Sequence, residues 1–197
     1  MTEHYYSENP NSEFKIKAIK SNILGEDFIF NTSSGVFSKD KIDTGTLILC
    51  NSMEISSNSK VLDIGCGIGV LGIVAAKLYS ANVIMCDLNK RAVLLSAKNT
   101  ILNKVHAKIL QSNLYEKISD NDFDAVLSNP PQNAGKEVCF GIISGAHEHL
   151  KKNVTLQLVA RHNKGGEMLS EKMKFVFGNV SVLSKKAGYW VYCSRKS

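Results

Sequence analysis

No stretch of this 197-residue sequence approaches the ~18–20 apolar residues that cross a bilayer. Its first eleven residues are polar and lack the apolar core of a secretion signal. No C-x-x-C pair occurs, and the five cysteines (Cys50, Cys66, Cys86, Cys139, Cys193) are odd in number and lie mostly inside apolar runs. Buried free thiols in a reducing cytoplasm are therefore expected, not a disulfide framework. The histidines offer no metal-ligand spacing. His147 and His149, two apart at the end of a helical pattern, point to different sides and are expected to be inert, and no metal is expected. Arginine is scarce, with Arg91, Arg161 and Arg195 alone, so there is no dense arginine patch; repeats and low-complexity tracts are also absent. What is present is lysine. It carries most of a net charge of +6 and a pI near 9.0, which is compatible with a polyanionic partner. A hydrophobic fraction of 44% over this length suits a single domain.

The densest information lies in Val61 to Lys77, where an apolar run meets Gly65, Gly67 and Gly69 at alternate positions and then an Ala-rich helical pattern. That order reads as strand, tight turn, helix. Glycine lets the backbone turn sharply and lie against a ligand, and the free N–H groups of the helix start favour an anionic group. Twenty residues past Gly67, the run Val83–Cys86 ends in Asp87, an acid placed to accept both hydroxyls of a ribose. A nucleotide-type cofactor is expected. Gly67-Ile-Gly69-Val-Leu-Gly72 satisfies the dinucleotide pattern G-x-G-x-x-G, so an NAD-dependent oxidoreductase is one reading. Asp63 argues otherwise, because a carboxylate there repels a diphosphate and attracts an ammonium. S-adenosylmethionine (SAM) carries such an ammonium and no phosphate. The plainer reading of Asp63 is a solvated strand-end acid or a helix cap.

A second stretch, Asp124 to Gln132, reads as a strand stopped by Pro130 and Pro131, with Asn129 biased away from helical angles. In a doubly wound sheet, ligands collect at the carboxyl ends of the strands. Asn129 then stands beside the glycine turn if the two strands are neighbours. The Asn129 side-chain oxygen and the Pro130 carbonyl can each accept one N–H of an exocyclic amine. Nitrogen is thereby drawn toward tetrahedral geometry, and catalysis rests on alignment and preplaced dipoles. Arg161-His-Asn-Lys164 should share this rim as a phosphate-positioning loop, and Lys15, Lys17, Lys39 and Lys41 could continue a basic track.

Residues 1–13 read as a flexible N-terminus and 14–197 as one domain. Within it, residues 14–35 form a β-hairpin added to the main sheet, with strands starting at Phe14 and Phe28. Residues 36–59 hold a helix from Asp43 to about Ile55, and 60–197 form the core. Core strands are expected at residues 60–64, 82–86, 107–110, 123–128, 155–160, 175–182 and 189–194, and helices at 70–78, 90–102, 136–151 and 167–174. This alternation implies a mostly parallel sheet covered on both faces, its last two strands antiparallel to each other.

Asp-Ile-Gly-Cys-Gly-x-Gly, Asp87 and Asn-Pro-Pro together resemble the class I SAM-dependent methyltransferases that modify amino groups. Within these, the chain is similar to the small-subunit ribosomal RNA guanine-N2 methyltransferases over about residues 30–195. Gly35-Val-Phe-Ser38, Ile42-Asp-Thr-Gly-Thr46, Asn113-Leu-Tyr-Glu116, Gly135-Lys and Gly188-Tyr-x-Val carry that likeness. The resemblance implies an α/β, Rossmann-like fold with a seven-stranded, mostly parallel sheet, SAM as cofactor, and RNA as partner, in ribosomal RNA or the small subunit. It implies that Gly65, Cys66, Gly67 and Gly69 line the methionine part with Asp63 near its ammonium, that Asp87 and Leu88 hold the ribose, and that Asn113 and Leu114 meet the adenine. Phe37 and Thr46 close over the cofactor. Asn129, Pro130 and Pro131 hold the target amine, with Gln132, Arg161 and Lys164 toward the substrate. Gln132 departs from the pattern, standing where most amino-methyltransferases have an aromatic ring, so stacking must come from elsewhere or Gln132 reads the base edge. Several members carry a further related domain; this sequence corresponds to the catalytic half. Rival acceptors are adenine, transfer RNA guanine and protein glutamine. A further rival is a catalytically silent RNA-binding module, which the intact Asn129-Pro130-Pro131 opposes.

Overall fold

The computed structural model describes residues 8, 14–37 and 40–197. Seven strands form the main sheet: β3 (Lys60–Ile64), β4 (Asn82–Asp87), β5 (Ala107–Gln111), β6 (Phe123–Ser128), β7 (Leu150–Arg161), β8 (Ser181–Lys186) and β9 (Tyr189–Arg195). Their order is β5-β4-β3-β6-β7-β9-β8, and only β9 runs against the others. β8 and β9 are joined through Ala187 and Gly188, both at positive φ, which is the turn that matches the twist of a two-residue hairpin.

Alternation along the central strands sends side chains into two cores. Val61, Ala125, Leu127 and Val159 pack under α1 (Thr44–Ser52), α2 (Val70–Tyr79) and α3 (Lys90–Leu102). Leu62, Ile64, Val126, Leu156 and Leu158 pack under α4 (Lys136–His149) and α5 (Gly166–Phe177). Both faces being covered explains why β3 and β6 read as nearly continuous apolar runs. Gly72, in the first turn of α2, lets that helix lie close on β4, since an added Cβ would stand 2.6 Å from Met85 Sδ.

The N-terminal strands β1 (Lys17–Ile23) and β2 (Glu26–Thr32) form their own two-stranded sheet instead of joining the main one. The edge of β2 is satisfied by side chains at the end of α3, from Asn99 within the helix and from Asn103, its C-cap. Asn103 accepts from the Ile29 N–H and donates to its carbonyl, and Asn99 does the same for Asn31. A sheet edge closed by asparagine amides needs no neighbouring strand.

Boundaries differ from the sequence reading where local pattern and tertiary packing disagree. β1 begins at Lys17, leaving Phe14 exposed beneath the Arg91 guanidinium. α1 stops at Ser52. The segment from Phe175 was expected as strand, but α5 continues to Phe177. Leu169, Met173 and Phe177, four apart, share its buried face, and Gly178 ends it at φ 74°. β7 begins at Leu150, directly after α4. His147 and His149 are packing groups there: His149 stacks on Tyr115 and His147 meets the edge of Phe177. The calls on residues 1–7, 9–13 and Lys39 lie outside the described residues. All five cysteines are buried and free. No helix among the described residues is long and apolar enough to cross a membrane, and they hold no cluster of three or more potential metal ligands.

Candidate functional site

A cavity of about 470 Å³ opens at the carboxyl ends of β3, β4, β6 and β7. β3 and β6 are direct parallel neighbours, so the Gly65–Gly69 turn and Asn129 stand side by side at its floor. Of the residues named from sequence, Phe37, Thr46, Asp63, Gly65, Cys66, Gly67, Asp87, Leu88, Asn113, Leu114, Asn129, Pro130, Pro131, Gln132, Arg161 and Lys164 all line it. Gly69 does not. It starts α2 at φ 87° and turns inward, where a Cβ would meet Ser96 and Met85.

On the β4 side, Gly65 (φ 69°) and Gly67 (φ 55°) hold left-handed angles with open space where side chains would begin. The Gly67 N–H donates to Asp87 Oδ2 (2.8 Å), and the Asn89 N–H donates to Asp87 Oδ1 (2.8 Å), so this acid fixes the turn and retains further lone pairs. Burial raises its pKa, partly offset by those N–H donors. Asp63 is a helix cap, and it is buried, not solvated. Its Oδ2 accepts from the free Gly72 N–H of α2 (2.9 Å), capping the helix from outside. Its Oδ1 is buried on the cavity wall with no hydrogen-bond partner among the described residues. Burial above all, and secondarily the charge of Asp87, pushes the Asp63 carboxyl up to about 7. An orphaned buried carboxylate oxygen is costly alone and is satisfied by a cationic donor. The Cys66 and Cys86 thiols beside it are pushed up by burial, Cys86 to about 12, so both stay protonated. Asn113 donates to Glu116 (2.7 Å), leaving its own amide oxygen for a ligand.

On the β6–β7 side, the carboxamide of Asn129 is pinned by α1. Its Nδ2 donates to Thr46 Oγ1 (2.8 Å) and to Asp43 Oδ2 (3.1 Å), and Asp43 also caps α1 through the Thr46 N–H. Both amide hydrogens are spent on α1, which leaves Asn129 Oδ1 as acceptor. Thr46 thus orients Asn129. The sequence marked Asp43 as the start of this helix and as part of the Ile42–Thr46 likeness, not as a partner of Asn129. The Pro130 carbonyl accepts the Gln132 N–H (2.8 Å) with one lone pair and keeps the other. Gln132 does not point free into the site. Its Nε2 donates to the Lys164 carbonyl (2.9 Å) and its Oε1 accepts the Arg161 N–H (3.3 Å), tying the Asn-Pro-Pro corner to the next loop. Tyr189, at the start of β9, completes the wall.

The sheet order, the glycine turn and the adjoining Asn-Pro-Pro corner define a class I, Rossmann-like methyltransferase fold. A family model, the methyltransferase small domain, matches residues 27–193, and the chain belongs to that family. It is 38% identical over 200 residues to uncharacterized protein YbxB of Bacillus subtilis (strain 168), covering 100% of both. It is 31% identical over 172 residues to ribosomal RNA small subunit methyltransferase C of Cronobacter sakazakii, covering 85% of this chain and 49% of that one. Among solved structures, the T. thermophilus 16S rRNA N2 G1207 methyltransferase (RsmC), in complex with AdoMet and guanosine, matches with a TM-score of 0.83 at 26% identity. That match covers 95% of this chain and 52% of the other. The chain therefore spans about half the length of these methyltransferase C relatives.

Proposed function

We propose that this protein transfers a methyl group from SAM to the exocyclic N2 amine of a guanine in small-subunit ribosomal RNA. The observation that carries the reading is the pinned Asn129: a carboxamide whose hydrogens are held by Asp43 and Thr46 offers only an acceptor oxygen, next to the glycine turn. SAM supplies an electrophilic methyl when bound. The chain's own groups hold and aim. Asp63 meets an ammonium with its unpartnered oxygen, Asp87 accepts ribose hydroxyls, and Asn113 with Leu114 borders the adenine. Asn129 Oδ1 and the Pro130 carbonyl take the two N–H bonds of the acceptor amine. Its lone pair, otherwise spread into the ring, is thereby freed. No strong base is required, since the methylated amine loses its proton readily to solvent. Alignment and fixed dipoles provide the rate. The similarity to methyltransferase C proteins supports guanine over adenine or a protein amide as acceptor. Arg161 and Lys164 at the rim suit the phosphates of an RNA chain.

Nucleoside mass spectrometry of small-subunit RNA and particles incubated with enzyme and SAM tests this. N2-methylguanosine should appear with the wild type. With Asn129→Ala it should fall by about two to three orders of magnitude while cofactor binding is kept. A methylated adenine, or no methylated nucleoside at all, would overturn the guanine assignment.

A further inference from the structure

Gln132 leaves open which side chain stacks on the acceptor base. Among the described residues lining the cavity, two are aromatic, Phe37 and Tyr189. Phe37 follows Gly35, whose carbonyl accepts from Asn89 at the start of α3, and so belongs to the β4 side beside Asp87. Tyr189 pairs in register with Arg161 and stands on the β6–β7 side. Its ring lies against Gly45 in the first turn of α1, where an added Cβ would come within 2.9 Å of two ring carbons. That same turn supplies the Asp43 and Thr46 groups that pin Asn129. The Arg161 guanidinium stands 5.0 Å from the ring centre, and the Arg161 N–H donates to Gln132. Ring, guanidinium and acceptor corner are thus joined through two rigid links, α1 and the Gln132 bridge.

We propose that Tyr189, backed by Arg161, is the stacking surface for the acceptor base, and that Gln132 positions the Asn-Pro-Pro corner instead of reading the base. This deepens the proposed function and rests on it. A base drawn from its stack loses its neighbours, and an aromatic face in the pocket replaces them. In most amino-methyltransferases the resemblance places that ring on the residue after the prolines; here the opposite wall provides it. The ring packs against Gly45, so a side chain at position 45 would displace it.

The test uses the full chain with small-subunit RNA, a radiolabelled methyl donor, and calorimetry with S-adenosylhomocysteine. Tyr189→Phe, which keeps the π-face, should retain kcat/KM for RNA within about twofold. Tyr189→Leu should lose about one to two orders of magnitude in kcat/KM, with the Kd for S-adenosylhomocysteine unchanged. If the leucine variant fails to melt cooperatively, Tyr189→Met, which keeps volume against Gly45 without a π-face, takes its place. Active wild type with unimpaired leucine or methionine variants would overturn the stacking role alone. A parallel loss of S-adenosylhomocysteine binding would also overturn it, making the ring a cofactor wall. Absence of methyl transfer by the wild type would bring down the underlying acceptor assignment, and the stacking role with it.

Discussion

Cofactor affinity should depend on pH near neutrality, because of Asp63. In the unliganded protein, burial raises this carboxyl to about 7, and among the described residues Gly72 is the one hydrogen-bond donor that counters it. The ammonium of a bound cofactor is matched only by the ionised form, so a proton must leave on binding below that value. The apparent Kd then scales as one plus the ratio of protonated to ionised Asp63. That ratio is about 10 at pH 6 and about 0.1 at pH 8, so affinity should be about tenfold weaker at pH 6 than at pH 8. Calorimetry with S-adenosylhomocysteine at pH 6, 7 and 8, in buffers of different ionisation enthalpy, measures both affinity and protons released. Nearly one proton should be released at pH 6 and about a tenth of one at pH 8. A Kd and proton count flat across that range would refute the reasoning. The stability sign is opposite. With the folded pKa above the ordinary 3.8, the ionised acid is disfavoured by folding, so stability from this group is lost as pH rises from about 4 to 7. Asp63→Asn should therefore raise the Tm of the unliganded protein at pH 8, abolish the pH dependence, and weaken cofactor binding.

Three substitutions probe the supports of the site. Asp43→Ala removes a helix cap and an Asn129 anchor together; a stability loss of about 1 kcal/mol should accompany a fall in kcat with the Kd for S-adenosylhomocysteine little changed, read by denaturant melts and initial rates. Gln132→Ala cuts both hydrogen bonds between the Asn-Pro-Pro corner and the Arg161–Lys164 loop. At about 1 kcal/mol each, their loss should lower kcat/KM for RNA by up to about thirtyfold, and Gln132→Asn should not rescue it because its amide is one methylene short. Gly72→Ala would force Met85 and Val83 off α2; a cost of about 1–3 kcal/mol should appear as a lowered Tm.

Most of the fold was legible in the chain because its signals are local. The strand–glycine–helix order at Val61–Lys77, the alternation of apolar strands with amphipathic helices, and Pro130-Pro131 as a stop each act within a few residues. Legibility failed where a long-range contact outvoted a local preference. Val176 and Phe177 favour strand, yet Met173 and Leu169 already commit that face to the core, so α5 keeps them. The separate hairpin sheet depended on Asn99 and Asn103 reaching across some 70 residues to close its edge.

The candidate site divides the same way. Residue types at fixed spacing determined the turn, the two acids and the Asn-Pro-Pro corner, since backbone angles and charge are written in the sequence itself. Tertiary structure alone decided what those groups are free to do. It buried Asp63 and left its second oxygen without a partner among the described residues, turned Gly69 inward, locked the Asn129 amide onto α1, engaged Gln132 with the neighbouring loop, and brought Tyr189 to the cavity wall. The hydrogen-bond partners that fix Asn129 and Gln132 lie 29 to 86 residues away and leave no periodicity to read; only the folded chain assigns each lone pair and each ring its neighbour.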